Sequence, residues 1–168
     1  SLINLAVYVE TKLAKAIAKS RDKAILKGTG STGKQLVGII PSLKSANSVT
    51  VTGFNLGEIL SKISLVDDGE EAYGEIIAVM KRSTFYGRFL RNMITTDSAG
   101  RYVVPDLKNP NIGVRVVFSQ YMDADKVLFG DFSRYMVTKR AALKLAASTD
   151  VKFIEDQTVI KGIERLDG

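Results

Sequence analysis

The stretch Gly28-Thr29-Gly30-Ser31-Thr32-Gly33-Lys34-Gln35 comes closest in this chain to a known chemical device, a cradle for phosphates. It satisfies G-x-G-x-x-G and departs from the phosphate-loop pattern G-x-x-x-x-G-K-[ST] only at Gln35. A nucleotide-binding enzyme using Gly28 to Lys34 is one reading. Both motifs, however, need a strand before the glycines and a helix after them, because loop amides and the helix N-terminus hold the phosphates. Here helical periodicity precedes the glycines, and Leu36-Val37-Gly38-Ile39-Ile40, ending at Pro41, reads as an extended segment. Gln35 also lacks the hydroxyl that would ligate magnesium. The order of elements is that of a helix-to-strand connector.

Other chemistry is restricted by what is missing. Cysteine and histidine are both absent, which removes disulfides, Cys- or His-ligated zinc, thiol nucleophiles and histidine bases. Asp67, Asp68, Glu70, Glu71 and Glu75 form an acidic run, but without the alternating ligand spacing and terminal glutamate of a calcium loop. A solvated turn accounts for them. The expectation is a protein that is not an enzyme, with no catalytic residue, cofactor, metal or small-molecule substrate.

Charge is the remaining signal. The net charge is +6, and residues 1–44 carry all of it, with eight bases against two acids. Lys12, Lys15, Lys19, Lys23 and Lys27 fall at spacings of three and four. They read either as a solvated helix face or as a basic ridge that touches nucleic acid through phosphates, without sequence preference. Aromatic residues interleaved with these lysines, as a free-standing nucleic-acid-binding domain would use, are lacking.

The element that must present these lysines is an amphipathic helix over residues 2–27. Leu2, Ala6, Val9, Leu13, Ala16, Ile17 and Ala24 recur on one stripe, and Gly28 is expected to supply a left-handed stop. No apolar run approaches the length of a membrane span, and no charged-then-apolar leader is visible. The start at Ser1, with periodicity running from Leu2, suggests a piece of a longer chain.

Further along, Ser48 to Thr52 alternates as a strand does, and Leu56 to Val66 is a helix with Leu56, Ile59, Leu60 and Ile63 on one face. Ile76 to Met80 suits a buried strand. Ser83 stands where a helix N-cap would, ahead of Phe85, Phe89, Leu90 and Met93 as core. Residues 97–112 hold Pro105 and Pro110 and read as a long connection or protruding loop, and Gly113 to Phe118 as a strand. Gly130-Asp131 is a turn pair between Val127 to Phe129 and Tyr135 to Thr138. Ala141 to Ser148 alternates, and a last extended piece lies near Thr158 to Leu166. Together the closing strands form a small antiparallel sheet able to pack on the apolar stripe of the first helix.

The closing third also carries a recognisable string: Val127-Leu128-Phe129-Gly130-Asp131-Phe132-Ser133-Arg134-Tyr135-Met136-Val137, then Glu155-Asp156-Gln157, then Glu164-Arg165-Leu166-Asp167-Gly168. In this order it resembles the closing segment of tailed-bacteriophage major capsid proteins, the HK97-like fold shared by encapsulins. The resemblance is densest over residues 126–168, and extends to the glycine-rich turn with its Gly-Ile-Ile segment and to Ala99-Gly100-Arg101-Tyr102 before a proline-containing loop. It implies an α+β fold in which a long spine helix packs on a small antiparallel sheet, beside a mixed α/β axial domain. The implied division is 1–37 for the spine helix and connector of a peripheral domain, 38–125 for the axial domain, and 126–168 for strands returning to the peripheral domain. Gly130, Asp131, Phe132, Ser133, Glu155, Asp156, Gln157, Arg165, Asp167 and Gly168 are carried over as structural signature positions only.

The family's N-terminal arm and extended two-stranded loop precede its spine helix and have no counterpart here, so the chain reads as the C-terminal portion of a subunit, and no covalent crosslink is carried over. The resemblance implies a self-assembling shell of pentamers and hexamers around double-stranded DNA, held non-specifically. The protein would reside in the virion capsid, and in the bacterial host cytoplasm before assembly, with no membrane partner. Within the same fold the alternative is an encapsulin-like compartment that encloses protein cargo.

Overall fold

The computed structural model describes residues 3–51, 55–66, 74–148 and 159–167. These separate into two compact units, one built from residues 1–42 and 136–168 and the other from residues 43–135. The acidic run Asp67 to Glu71, the signature residues Glu155, Asp156 and Gln157, and Gly168 lie outside the described residues.

In the first unit, helix α1 (Ile3–Lys27) follows from the three-and-four spacing of its apolar residues. Val9, Leu13, Ile17 and Ala24 are half-buried along one stripe, whereas Ala16, expected on that stripe, is exposed. Strands β6 (Thr138–Ser148) and β7 (Val159–Asp167) pair antiparallel, from Thr138 opposite Asp167 to Ser148 opposite Val159. Register shifts between Lys139 and Ala141 and between Ala141 and Lys144 mark bulges, which increase local twist. Helix α1 contacts β7, so the two ends of the sequence meet in one unit.

The connector after α1 is a tight clasp. Thr29 and Val37 form an antiparallel bridge around a 3-10 turn, Gly30–Gly33. The Gly28 N–H donates to the Ala24 carbonyl at 2.7 Å, and the Gly38 N–H donates to the Gly28 carbonyl at 2.9 Å. Gly28 does not supply the expected left-handed stop; positive φ falls on Gly30 (69°) and Lys34 (51°). Gly28 is needed for another reason: a Cβ there would strike the Leu36 carbonyl oxygen. Nor is Leu36 to Ile40 an extended segment. Ile39–Ser42 forms a single helical turn, α2, with the Ser42 hydroxyl donating back to the Gly38 carbonyl at 2.8 Å.

The second unit is a small sheet under helices. Strand β1 (Ile77–Met80) lies between β4 (Arg115–Phe118), to which it runs parallel, and β5 (Val127–Gly130), to which it runs antiparallel. The continuous apolar run of β1 suits a central strand covered on both faces. Its register explains the core. Ala78 sits opposite Val116 and Phe129, and Met80 opposite Phe118 and Val127, so these side chains share one face. On that face pack Phe85 and Phe89, both 1% exposed, together with Ile112 and the half-buried Leu56, Ile59, Leu60 and Met93. Val79 and Leu128, opposite each other in the register, are buried on the reverse face.

The helical layer consists of α3 (Leu56–Ser61), which tightens into a 3-10 turn at Lys62–Val66, and a composite helix. The Asn55 side chain caps α3 by accepting the Glu58 N–H at 3.2 Å. The composite begins as α4 (Arg82–Thr84), widens to a π-helical turn at Phe85–Leu90 and closes as α5 (Arg91–Met93). Its N-cap is Lys81, without a side-chain bond, rather than Ser83, which lies inside the helix. Thr84, buried, turns its Oγ1 to accept the Asp125 N–H at 3.0 Å.

Two other expectations give way. Residues 48–51 form no strand; a 3-10 turn at Ser45–Asn47 precedes them. Val127 to Gly130 does not form a hairpin with Tyr135 to Thr138; it pairs with β1 and falls in the second unit. The long connection contains a two-residue hairpin, β2 (Thr95–Thr96) with β3 (Tyr102–Val103), before it returns through Pro105 and Pro110 to β4.

Candidate functional site

The lysine series of α1 is placed by helical geometry alone. At about 100° per residue, Lys12, Lys15, Lys19, Lys23 and Lys27 share one stripe, roughly a third of a turn from Val9, Leu13, Ile17 and Ala24. Lys12, Lys15, Lys19 and Lys23 are exposed and Lys27 is half-buried. The Lys12 ammonium lies 5.3 Å from the ring centre of exposed Tyr8, a cation–π contact that holds the head of the stripe.

Five amides of the glycine-rich clasp are committed to internal bonds. The N–H groups of Gly28, Gly30, Lys34, Gln35 and Gly38 all donate to carbonyls of the same segment, at 2.7 to 3.3 Å. A long helix precedes it and a four-residue helix follows, the reverse of what phosphate binding by a helix N-terminus requires. Gly28 to Lys34 is a structural connector.

Asp131 gives the Gly-Asp-Phe-Ser signature its physical meaning. Its Oδ1 accepts the Ser133 N–H at 3.0 Å and the Ser133 hydroxyl at 2.6 Å, which caps a 3-10 turn at Phe132–Arg134. Its Oδ2 accepts the Gly74 N–H at 2.9 Å. Gly130 lies against the Phe132 ring, where an added Cβ would sit 3.4 Å from Cζ. Arg165 and Asp167 lie in β7.

Two exposed charged pairs that the sequence did not disclose link elements of the second unit. Arg88 meets Asp125 in a two-pronged bond, Nε to Oδ1 and Nη2 to Oδ2, both 3.0 Å. The bond from Arg88 lowers the Asp125 carboxyl below the usual carboxylate range, and the Asp125 partner raises the guanidinium. Arg115 grips Glu75 in the same way at 2.8 and 3.1 Å. That pair borders an open concavity of about 750 Å³, also lined by Lys108, Asn109 and Asn111. Among the described residues no group of three or more acids converges as a cation site would require, and no helix is long and apolar enough to cross a membrane.

Helix α1 thus meets strand β7 from the far end of the chain, and the sequence of the second unit lies between them. The pattern of the phage capsid family matches residues 1–168. The chain belongs to that family. Two solved structures have the same fold. The capsid of an empty GTA particle, computed with C5 symmetry, is 15% identical with a TM-score of 0.68. The capsid of the native GTA particle, likewise computed with C5 symmetry, is 17% identical with a TM-score of 0.68. In each case 97% of this chain is covered, and it spans 61% of the other. No curated protein matches the sequence.

Proposed function

We propose that this chain is the shell-forming part of a phage or prophage major capsid protein, which self-assembles into pentamers and hexamers of an icosahedral shell around double-stranded DNA. The observation that carries the reading is the family match along all of residues 1–168. The family and the solved structures alike name capsids, and neither names a protein-cargo compartment, which favours the phage reading over an encapsulin-like one. On this reading residues 1–42 with 136–168 are the peripheral domain and residues 43–135 the axial domain. The protein resides in the virion capsid and, before assembly, in the host cytoplasm.

The stripe of Lys12, Lys15, Lys19 and Lys23, with Lys27 at its end, is the surface that touches packaged DNA. Four exposed ammonium groups on one helix face supply charge without shape or base readout, which suits a contact independent of sequence. The signature residues Gly130 to Ser133 act within the subunit as a clamp. Light scattering of the full-length product expressed alone tests the assignment. Particles of many copies are expected; a discrete monomer with catalytic turnover would overturn it.

A further inference from the structure

Among the described residues of the second unit, the longest unbroken run of exposed apolar side chains lies on the β2–β3 ribbon and its exit. Tyr102 is 78% exposed and Val103 and Val104 each 51%, with Ile94 and Leu107 also exposed. Tyr102 and Val103 are consecutive in β3 and so point to opposite faces; both are exposed, so among the described residues neither face of the ribbon is covered.

The ribbon is nonetheless braced by its own hydrogen bonds. Asp97 Oδ1 accepts the N–H groups of Ala99 and Arg101, each at 2.9 Å, and Oδ2 accepts Arg101 Nε at 3.1 Å. The Asp97 N–H donates to the Arg101 carbonyl and the Gly100 N–H to the Asp97 carbonyl, both at 2.9 Å, with Gly100 at a φ of 77°. A protrusion fixed in this way loses little freedom on binding. Its strands are two residues long and are followed by Pro105, which has no N–H to donate, so the edge cannot grow by adding another strand. Whatever it binds, it binds through side chains.

We propose that this ribbon is an apolar knob inserted into a neighbouring copy of the chain. The inference rests on the capsid reading above and names the surface through which that reading requires copies to meet. From Ile94 to Val104 the only charged residues are Asp97 and Arg101, which neutralise each other. Nucleic acid would call for net positive charge here. The +6 charge lies in residues 1–44, so a contact between copies through this neutral patch brings no like charges of its own together. A five-fold arrangement, as in the related capsids, is built from head-to-tail contacts in which a surface meets a different surface of the next copy. A knob exposed on both faces fits that geometry, since its receptor is a groove rather than a second knob.

The test uses the full-length product. A cysteine introduced by Val104→Cys is labelled with a maleimide in dispersed subunits and in assembled particles, counting only labelling above that of the unsubstituted product. Tyr102→Asp is examined in parallel for particle yield and for the thermal melt of the subunit. A labelling rate at least tenfold lower in particles, and loss of particles in Tyr102→Asp with an unchanged melt, are the results expected. Equal labelling in both states, or particles from Tyr102→Asp at the unsubstituted yield, would overturn the knob while leaving the capsid reading standing. An unsubstituted product that forms no particles at all would defeat the capsid reading, and the knob with it.

Discussion

Asp131 accepts the Gly74 N–H at 2.9 Å across 57 residues of sequence, so a single carboxylate ties the lead-in to the central strand β1 to the turn that follows its neighbour β5. A β-strand needs its ends fixed as well as its edges paired, because register slips when a terminus is loose. The same side chain also caps the 3-10 turn at Phe132–Arg134. Substituting Asp131→Ala removes both functions and should destabilise the fold by about 1–2 kcal/mol. Asp131→Asn, which keeps one acceptor oxygen, should recover part of the loss. Chemical denaturation followed by circular dichroism reads both.

Phe85 and Phe89 lie one turn apart and are the largest side chains of the buried cluster. Phe89→Ala leaves a cavity against Ala78, Met80 and Val116 and should cost about 3–5 kcal/mol. Tyr102→Ala, on the exposed ribbon, should shift stability by less than about 0.5 kcal/mol. The contrast between the two unfolding midpoints checks that the core is where the register places it.

The Arg88–Asp125 pair sets a pH dependence of known sign. The Asp125 carboxyl titrates below its unfolded value, so the folded state holds the proton less tightly than the unfolded chain. Its stabilising contribution is fully present above the ordinary aspartate value of about 3.9 and is lost as pH falls through the lower folded value. Both side chains are more than half exposed, so the effect is small and weakened by salt. A stability profile against pH should fall on the acid side, and Asp125→Asn should flatten that limb. Asp97, lowered chiefly by the Arg101 N–H bond, titrates in the same direction.

If the α1 stripe meets phosphates, replacing Lys12, Lys15, Lys19 and Lys23 by glutamine should weaken DNA binding equally for all sequences. The slope of log affinity against log salt should fall by about 0.9 for each phosphate that is no longer neutralised. Filter binding across a salt series measures it, and an affinity indifferent to ionic strength in the unsubstituted product would remove the ridge from the account.

Much of this could be read from the residues, and the failures share a cause. The long helix, the buried run Ile77 to Met80, the strand before Phe118 and the phenylalanine core were legible, because each depends on periodicity within one segment. What escaped depends on partners remote in sequence. Val127 to Gly130 has the composition of a hairpin arm, yet it pairs along the whole of β1, a strand some fifty residues earlier. Residues 48–51 have β-favouring types and no neighbouring strand, and β-propensity without a partner specifies little. Leu36 to Ile40 reads as extended until Gly38 is drawn onto Gly28, after which Ser42 bonds back to Gly38 and closes a helical turn. The lysine stripe was visible as spacing. The Tyr102-Val103-Val104 run is three apolar residues inside a turn-rich segment, too short to show a period of its own.

The most direct test of the central claim is electron microscopy of the full-length product expressed alone. The account predicts closed, symmetric particles with five-fold and six-fold clusters, and with α1 turned so that its lysines face the interior. Open aggregates without symmetry, or a soluble monomer at every concentration examined, would contradict it.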